Sequence, residues 1–395
     1  MDEPSAQLHQ DIRNSVQRAL AVRRPILHHL NADTTWLLQI PRPVNAIKHG
    51  ARHFYNVFID PWLVGGQSDV AKWFSQQFHA DKSAVQSIAE VEGLAREIEI
   101  LVAGLRLGHG RRSNASQELE DGVEDSFIDA IVISHEFTDH CHKETLLEVH
   151  PDVPVVATDQ AAKLIRSWSH FRTVITTPIF SAEEGNRDWR STSEPPLPDW
   201  LGVSRLVSKR DALNYHSAVM IAFNTCTPET PSSPHYLHSK KNRKRAVSDA
   251  AEAEAILYTP HGLASHSVSH LTLADPPIRT LAFLHGLHDV RIGSAQQLNL
   301  GGHNGLKAQR TLKARYWIGT HDEIKTGGGL VAWFLRRKVV GLGEALKEER
   351  RELEGKYNED GEMTDWERHS EKEVLRSFDG VNWVELGNGE SRVLS

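Results

Sequence analysis

The strongest constraint in this sequence is a short apolar run followed at once by a cluster of polar side chains. Residues 127–133 read FIDAIVI, and residues 134–142 read SHEFTDHCH. A run this short and this rich in β-branched residues predicts a buried strand. The loop after the carboxyl end of such a strand opens into the crevice in which α/β folds place their sites. We therefore expect residues 134–142 to form part of a functional site.

The pattern along the rest of the chain predicts an α/β fold. Apolar and β-branched runs predict strands at 34–40, 54–59, 153–157, 173–176, 217–223, 255–258, 278–284 and 316–319. Apolar residues at helical spacing, or charged helix-forming stretches, predict helices at 7–22, 84–107, 143–149, 160–167 and 344–357. Short strands that alternate with helices favour helices packed on sheets. Residues 382–394, with Gly387 and Gly389 at a turn, predict a closing hairpin.

The domain organisation predicted from this pattern is simple. Residues 1–30 are expected to form an N-terminal helical segment packed on the body, and residues 31–395 a single domain. Two polar stretches, 109–124 and 224–254, predict inserted loops. The second contains the basic run KKNRKR at 240–245. Such a run is typical of a solvated surface loop, and a nuclear-import signal is the alternative reading.

Composition narrows the classes of function. Of 395 residues, 39% are apolar, which is enough to bury a substantial core. The net charge of −7 disfavours nucleic acid and anionic membranes as partners and favours a small-molecule substrate. No stretch approaches the roughly 18 apolar residues that span a bilayer, so no membrane insertion is expected. Two cysteines and a polar amino terminus without a signal-peptide pattern predict a cytoplasmic protein, or a nuclear one if 240–245 is an import signal.

Three side chains of the segment at 134–142 have the chemistry of metal ligands. His135, Asp139 and His140 lie within six residues of one another. Imidazole and carboxylate are ligands that a borderline divalent ion such as Zn²⁺ prefers. The chain has 23 histidines, so an ordinary histidine-rich loop is the competing interpretation of these residues alone.

The same segment resembles the His-x-His-x-Asp-His signature of the metallo-β-lactamase superfamily. Residues 58–63, FIDPWL, resemble a strand end found in the branch with ascorbate-lactonase-like and phospholipase-D-like proteins. Residues 319–322, GTHD, resemble the segment that supplies the last histidine of the family, and residues 382–394 resemble its closing strand pair. The likeness runs from about residue 31 to the end. It implies a four-layer αββα sandwich with mixed β-sheets and the metal at one edge between them.

The resemblance also implies a set of ligands. Carried over to this sequence, the family pattern makes metal ligands of His135, Asp139, His140 and His321. A further family histidine precedes a mid-chain strand, and His216 is the candidate for it.

Two positions depart from the family pattern. The middle histidine of the signature falls at Phe137, which cannot coordinate a metal. The strand that normally ends in a bridging aspartate reads ILYTPHG at 256–262, so that His261 takes the place of the carboxylate. A bridging carboxylate serves two cations, whereas a neutral imidazole nitrogen normally serves one. We therefore expect one divalent ion, with Zn²⁺ the first choice and Mn²⁺ or Fe²⁺ the alternatives, and His135 as either a weak ligand or a supporting group.

Three functions follow from these considerations. The first is a metallohydrolase that cleaves a small-molecule or lipid-like ester, amide or phosphodiester with a metal-activated water. In that case Asp139 is a candidate for orienting the water and His303 for the general acid. The second is a non-catalytic relative that uses the fold for binding, because Phe137 and His261 depart from the active pattern. The third is a nuclease-type member, which the acidic net charge disfavours.

Overall fold

The computed structural model describes residues 7, 23–47, 52–69, 71–107, 126–208, 215–225, 252–293, 296–355 and 381–395. The strands are β1 (Ile26–His29), β2 (Trp36–Pro41), β3 (Phe54–Ile59), β4 (Gln76–Phe78), β5 (Ala130–Ile133), β6 (Val155–Ala157), β7 (Val174–Thr176), β8 (Leu201–Val207), β9 (Ser217–Phe223), β10 (Ala253–Thr259), β11 (Ile278–His285), β12 (Asp289–Ile292), β13 (Gln296–Asn299), β14 (Tyr316–Ile318), β15 (Thr326–Gly328), β16 (Leu335–Lys338), β17 (Trp383–Val384) and β18 (Ser391–Val393). The α-helices are α1 (Ile88–Leu107), α2 (Lys143–Leu146), α3 (Asp159–Ser167), α4 (Gly302–Leu312) and α5 (Leu342–Gly355).

Two large mixed sheets organise the described part of the chain. The first sheet has the order β18-β1-β2-β3-β5-β6-β7, and the second has the order β17-β14-β11-β10-β9-β8. Strands β3, β5, β6 and β7 run parallel in the first sheet, as do β10, β11, β14 and β17 in the second. Parallel neighbours bring their carboxyl ends to the same edge of a sheet. Two smaller sheets, β13-β12-β16 and β15-β4, lie outside this pair.

Three apolar clusters show that the sheets are stacked between two helical layers. In β5, Ile131 and Ile133 pack with α1 and α3, whereas Ala130 and Val132 face the second sheet. This alternation follows from the two-residue period of a strand. The far side of the second sheet packs on α4 and α5. The order helix, sheet, sheet, helix confirms the predicted four-layer αββα sandwich with mixed sheets.

The structure changes the predicted boundaries at both ends of the chain. Residues Ile26–His29 form β1 inside the first sheet, so the body begins before residue 31. The predicted helix at 7–22 falls, apart from Gln7, outside the described residues, as do the loop at 109–124 and the basic run at 240–245. The predicted closing hairpin is wrong, because β17 pairs with β14 in the second sheet and β18 pairs with β1 in the first. Within the described residues, no helix is long and apolar enough to cross a membrane.

The packing of α4 against the second sheet depends on a glycine. A Cβ atom added at Gly305 would lie 2.5 Å from Cζ2 of Trp317 and 2.9 Å from Nδ1 of His285, which is closer than real contacts allow. We predict that Gly305→Ala lowers the free energy of unfolding by about 1–3 kcal/mol through overpacking. Gly343 in α5 is the matched control, since an added Cβ there meets nothing within 4 Å.

Gly343→Ala should leave the free energy of unfolding unchanged or raise it by up to about 1 kcal/mol, because alanine is the better helix former. Urea unfolding of both variants measures the difference, and equal effects would contradict the packing proposed for α4.

Candidate metal centre

The predicted ligands come from three strand ends at one edge of the two large sheets. The loop at 134–142 follows β5, His261 follows β10, and His321 follows β14. Sharp local geometry positions two of these side chains. The chain turns after His261 through Gly262, whose φ is +86° and whose added Cβ would lie 2.6 Å from that of Leu300. His321 itself has φ +60°, and its backbone N–H donates to the carbonyl of Asp33 over 2.9 Å.

Five of the six predicted ligands lie together in the structure. The ligand atoms of His135, His140 and His261 all lie within 4.8 Å of one another, and so do those of Asp139, His140 and His321. The ring centroids of His140 and His261 are 5.0 Å apart, and those of His261 and His321 are 5.1 Å apart. Such spacing suits bonds of roughly 2.0–2.2 Å to a common ion. Residues from distant parts of the sequence therefore form one compact cluster, and their role as ligands stays a prediction.

A polar partner fixes the orientation of three of the imidazoles. Nδ1 of His140 lies 2.7 Å from Oδ2 of Asp60, and Nδ1 of His261 lies 2.9 Å from Oδ1 of Asn299. Nδ1 of His321 lies 3.1 Å from Oδ1 of Asp33. In each case the acceptor holds the proton on Nδ1 and leaves the lone pair on Nε2, which is how carboxylates and amides orient metal-binding histidines.

The donor atoms left over by this arrangement fit a metal ion. Nε2 of His140 and Nε2 of His261 are buried, and neither has a hydrogen-bond partner among the described residues. Buried imidazole nitrogens without a partner are costly unless something else satisfies them. Nε2 of His140 lies 3.6 Å from Oδ1 of Asp139, and Nε2 of His321 lies 3.9 Å from Oδ2 of the same carboxylate. Two groups of donors thus meet at His140, one with Asp139 and His321 and the other with His135 and His261, and imidazoles with a carboxylate suit a divalent cation.

His135 is held differently from the other imidazoles. Its Nε2 lies 3.0 Å from the backbone carbonyl of Tyr215, and its Nδ1 lies 3.0 Å from Oγ of Ser134. The carbonyl can only accept, so Nε2 carries the proton and donates to Tyr215. Both nitrogens of His135 are therefore engaged within the protein. This favours a supporting role for His135, which is one of the two roles considered from the sequence.

A buried lysine that the sequence analysis did not identify lies against the predicted aspartate ligand. Nζ of Lys325 lies 2.6 Å from Oδ2 of Asp139 and 2.8 Å from Oδ2 of Asp33. The side chain of Lys325 is only 5% exposed, and Asp33 is fully buried. Lys325 follows His321 by four residues, in a stretch with no motif or periodicity that predicts a buried cation.

Burial and the neighbouring charges set the protonation of the cluster. Burial, reinforced by the neighbouring His140 and His135 imidazoles respectively, lowers the pKa of His135 and His261 well below the usual value, so both rings are neutral at pH 7. Burial opposes ionisation of Asp139, but Lys325 and His140 outweigh it and hold its pKa well below the usual value. A neutral imidazole and an ionised carboxylate are the forms that bind a metal.

Phe137 occupies the position where the family signature has its middle histidine, and its ring lies beside the cluster. The ring centroid of Phe137 is 5.9 Å from that of His135, 5.8 Å from that of His261 and 5.3 Å from that of Tyr215, on which it stacks. An apolar ring therefore fills the space next to the imidazoles. It lines the cavity at the cluster and offers no ligand there.

Two predicted site residues do not join the cluster. Nδ1 of His216 lies 3.2 Å from the backbone carbonyl of His261, so His216 supports the turn after β10 and belongs to neither of the two ligand groups found in the described residues. His303 lies on α4, where its Nε2 is 2.6 Å from Oε2 of Glu348 on α5. It pairs with a helix on the outer layer and does not line the cavity at the cluster, so the structure does not support it as the general acid.

No family model matches the chain, and no curated protein matches it. Solved structures similar to it include the isothiocyanate hydrolase from Delia radicum gut bacteria, with 12% identity, a TM-score of 0.45, and coverage of 94% of this chain and 99% of the other. Igni18, a metallo hydrolase from Ignicoccus hospitalis, has 9% identity and a TM-score of 0.38 over 93% of this chain and 97% of its own. The metallo-β-lactamase fold protein YhfI from Bacillus subtilis has 9% identity and a TM-score of 0.34, with coverage of 80% of this chain and 100% of its own.

We assign the fold from the strand order and layers of this chain itself. Two mixed sheets lie face to face between helical layers, and a histidine and aspartate cluster lies at their common edge. The chain has a metallo-β-lactamase-like fold. The fold expected from the sequence resemblance is thereby confirmed.

A cavity opens above the cluster of this metallo-β-lactamase-like fold. Its volume is about 260 Å³, and Asp139, His261 and His321 lie in its wall. The small sheet β13-β12-β16 provides an apolar wall through Val290, Ile292, Leu298 and Leu335, and Arg337 of β16 contributes a positive charge. A molecule in this cavity would therefore contact both the cluster and apolar side chains.

Asp60 is the carboxylate on which the orientation of His140 depends. It has φ +42°, a conformation that asparagine tolerates as well as aspartate does, so Asp60→Asn changes the charge with little backbone strain. We predict that Asp60→Asn lowers the affinity for a divalent ion about 10–100-fold, because the imidazole loses its charged acceptor. Competition with a chromophoric chelator measures this affinity. Asp152→Asn, in an exposed ion pair with Arg172, should bind as the wild type does. Wild-type affinity in Asp60→Asn would show that Asp60 does not orient a ligand.

Proposed function

We propose that the protein is a hydrolase that uses one divalent metal ion to cleave an ester, amide or phosphodiester bond in a small molecule. The observation that carries this proposal is the pair of buried Nε2 atoms of His140 and His261, which have no partner among the described residues. His140 lies beside Asp139 and His321, and His261 lies with Asp139 and His321 in the wall of a cavity. A purely structural role for these side chains leaves the two nitrogens unsatisfied, whereas a bound cation satisfies both.

The residues that would hold the ion are Asp139, His140, His261 and His321. Three imidazoles and one carboxylate favour Zn²⁺, with Mn²⁺ and Fe²⁺ as alternatives. When bound, such an ion lowers the pKa of a coordinated water and polarises a carbonyl or phosphoryl oxygen. Asp60, Asn299 and Asp33 keep Nε2 of their histidine partners directed at the ion. The Phe137 ring lies beside His135 and His261 and provides no ligand of its own.

The cavity supports a small molecule with an apolar portion as the substrate. A volume of about 260 Å³ is near the lower end for ligand pockets and leaves no room for a folded partner. Leu298, Ile292 and Leu335 offer apolar contacts, and Arg337 offers a charge that suits an anionic group. Lipid-like and short-chain esters or phosphoesters both meet these requirements.

A second candidate function rests on Lys325. Its ammonium group already neutralises one oxygen of Asp139, so a fold that binds a small molecule without metal is a coherent alternative. The two candidates differ in metal content. The hydrolase binds an ion through its unpartnered imidazoles, whereas the binding protein contains none.

Metal analysis of purified protein tests the proposal. We predict about one divalent ion per chain in the wild type, and loss of at least about 90% of it in His140→Ala and in His321→Ala, because removing one of four ligands typically costs 10–100-fold or more in affinity. His150→Ala is the control, since that side chain is 49% exposed and lies outside the cluster. Circular dichroism should show that all three variants are folded.

An activity screen completes the test. Chromogenic carboxyl esters and phosphodiesters with apolar groups should be hydrolysed by the metal-loaded wild type and by His150→Ala, and by neither of the other variants. Wild-type protein that remains free of metal after incubation with Zn²⁺, Mn²⁺ and Fe²⁺ would refute the hydrolase and leave the binding protein.

A further inference from the structure

More negative than positive side chains are buried around the cluster. Asp33, Asp60 and Asp139 are buried, and each lies within hydrogen-bond distance of an imidazole or ammonium of the centre. Lys325 supplies the positive charge beside these carboxylates, and its Nζ also lies 5.3 Å from the ring centroid of Trp62.

With the imidazoles neutral, as metal ligands must be, these three carboxylates and one ammonium leave two negative charges. Asp69, which also lines the cavity, accepts a hydrogen bond from Thr138 instead, and burial together with the charge of Asp139 raises its pKa. One divalent cation balances the two negative charges, and a second would leave an excess of positive charge inside the protein.

The position of Lys325 is as informative as its charge. Its Nζ bridges Oδ2 of Asp139 and Oδ2 of Asp33, at 2.6 Å and 2.8 Å. Oδ1 of Asp139, the other oxygen, is the one that lies nearest to Nε2 of His140. Oδ1 of Asp139 therefore lies towards His140, whereas Oδ2, which is 3.9 Å from Nε2 of His321, is taken by the ammonium.

We propose that the Lys325 ammonium is a built-in second cation, which limits the centre to one metal ion and occupies one oxygen of Asp139 and one of Asp33. This inference rests on the proposed metal site and goes beyond it, because it explains the number of ions by a residue outside the ligand set. Lys325 is a positioning residue here. It acts through Asp139 and does not itself bind the metal.

Removing the ammonium should create a second cation site. In Lys325→Met, the unbranched side chain keeps most of the apolar volume, while Oδ2 of Asp33 and Oδ2 of Asp139 lose their shared partner. Two buried carboxylates that face the space left by the ammonium strongly destabilise the fold unless another cation binds between them. A hard ion that accepts oxygen ligands and water, such as Mn²⁺, suits that position.

The experiment counts Mn²⁺ ions in the full-length protein. Wild type and Lys325→Met are titrated with Mn²⁺, free Mn²⁺ is followed by its electron paramagnetic resonance signal, and bound Mn²⁺ is counted by elemental analysis after desalting. We expect one ion per chain in the wild type at saturation and a doubling in Lys325→Met. Two neighbouring Mn²⁺ ions should also give a spin-coupled signal in the variant that the wild type lacks, and loss of a merely structural contact would not produce it.

Two control variants isolate the charge. Lys325→Arg keeps a cation and should bind one ion. The double variant Lys325→Met with Asp33→Asn removes one of the two carboxylates and should return the count to one. If Lys325→Met folds only in the presence of Mn²⁺, that dependence supports the proposal, and Lys325→Gln provides a second neutral variant if the methionine is not tolerated.

The outcomes separate this inference from the proposed function. Wild-type protein that binds no ion would refute the hydrolase itself. Wild-type protein that binds two ions would overturn the role of Lys325 whatever the variants do. One ion in the wild type and one in folded Lys325→Met or Lys325→Gln would overturn the role of Lys325 and leave the hydrolase intact.

Discussion

The carboxylate of Asp60 is the contact on which the geometry of the centre depends. It lies directly after β3 and accepts hydrogen bonds from the backbone N–H and the hydroxyl of Ser134, which lies directly after β5, and from Nδ1 of His140. Because β3 and β5 are parallel neighbours, strand pairing alone brings these two chain positions together. Because Asp60 binds both Ser134 and His140, the pairing of β3 with β5 determines where the His140 imidazole lies.

The parts of the centre that the sequence predicted are those encoded by position along a strand. The run at 127–133 forms β5, and the polar segment that follows it reaches the sheet edge as expected. His261 and His321 were identified by resemblance, and both also follow strands of one sheet. A residue directly after a buried strand has its location largely determined by that strand, so local pattern suffices to place it.

The parts that the sequence did not predict depend on contacts between distant segments. Asp33 and Lys325 lie in loops and Asn299 ends β13, all in stretches that carry no motif, and they acquire a role only because packing brings them to the histidines. The prediction of a closing hairpin was wrong for a related reason. Glycines at 387 and 389 do indicate a turn, but the edges of two different sheets decide which strands β17 and β18 join. His303 was placed by proximity in sequence to a strand, and helix α4 carries it to the outer layer.

The loop between β14 and β15 holds four charged or ligating groups within five residues, His321, Asp322, Glu323 and Lys325. His321 faces the cluster, Glu323 binds the side chain of His79 and the backbone of Ala80, and Lys325 reaches Asp139. The same loop leads into β15, which pairs with β4 beside the cavity. A displacement of this loop would therefore alter the coordination, the charge balance and the shape of the cavity at the same time. In the proposed hydrolase, substrate specificity and metal binding therefore depend on the same loop, so changes that adapt one are constrained by the other.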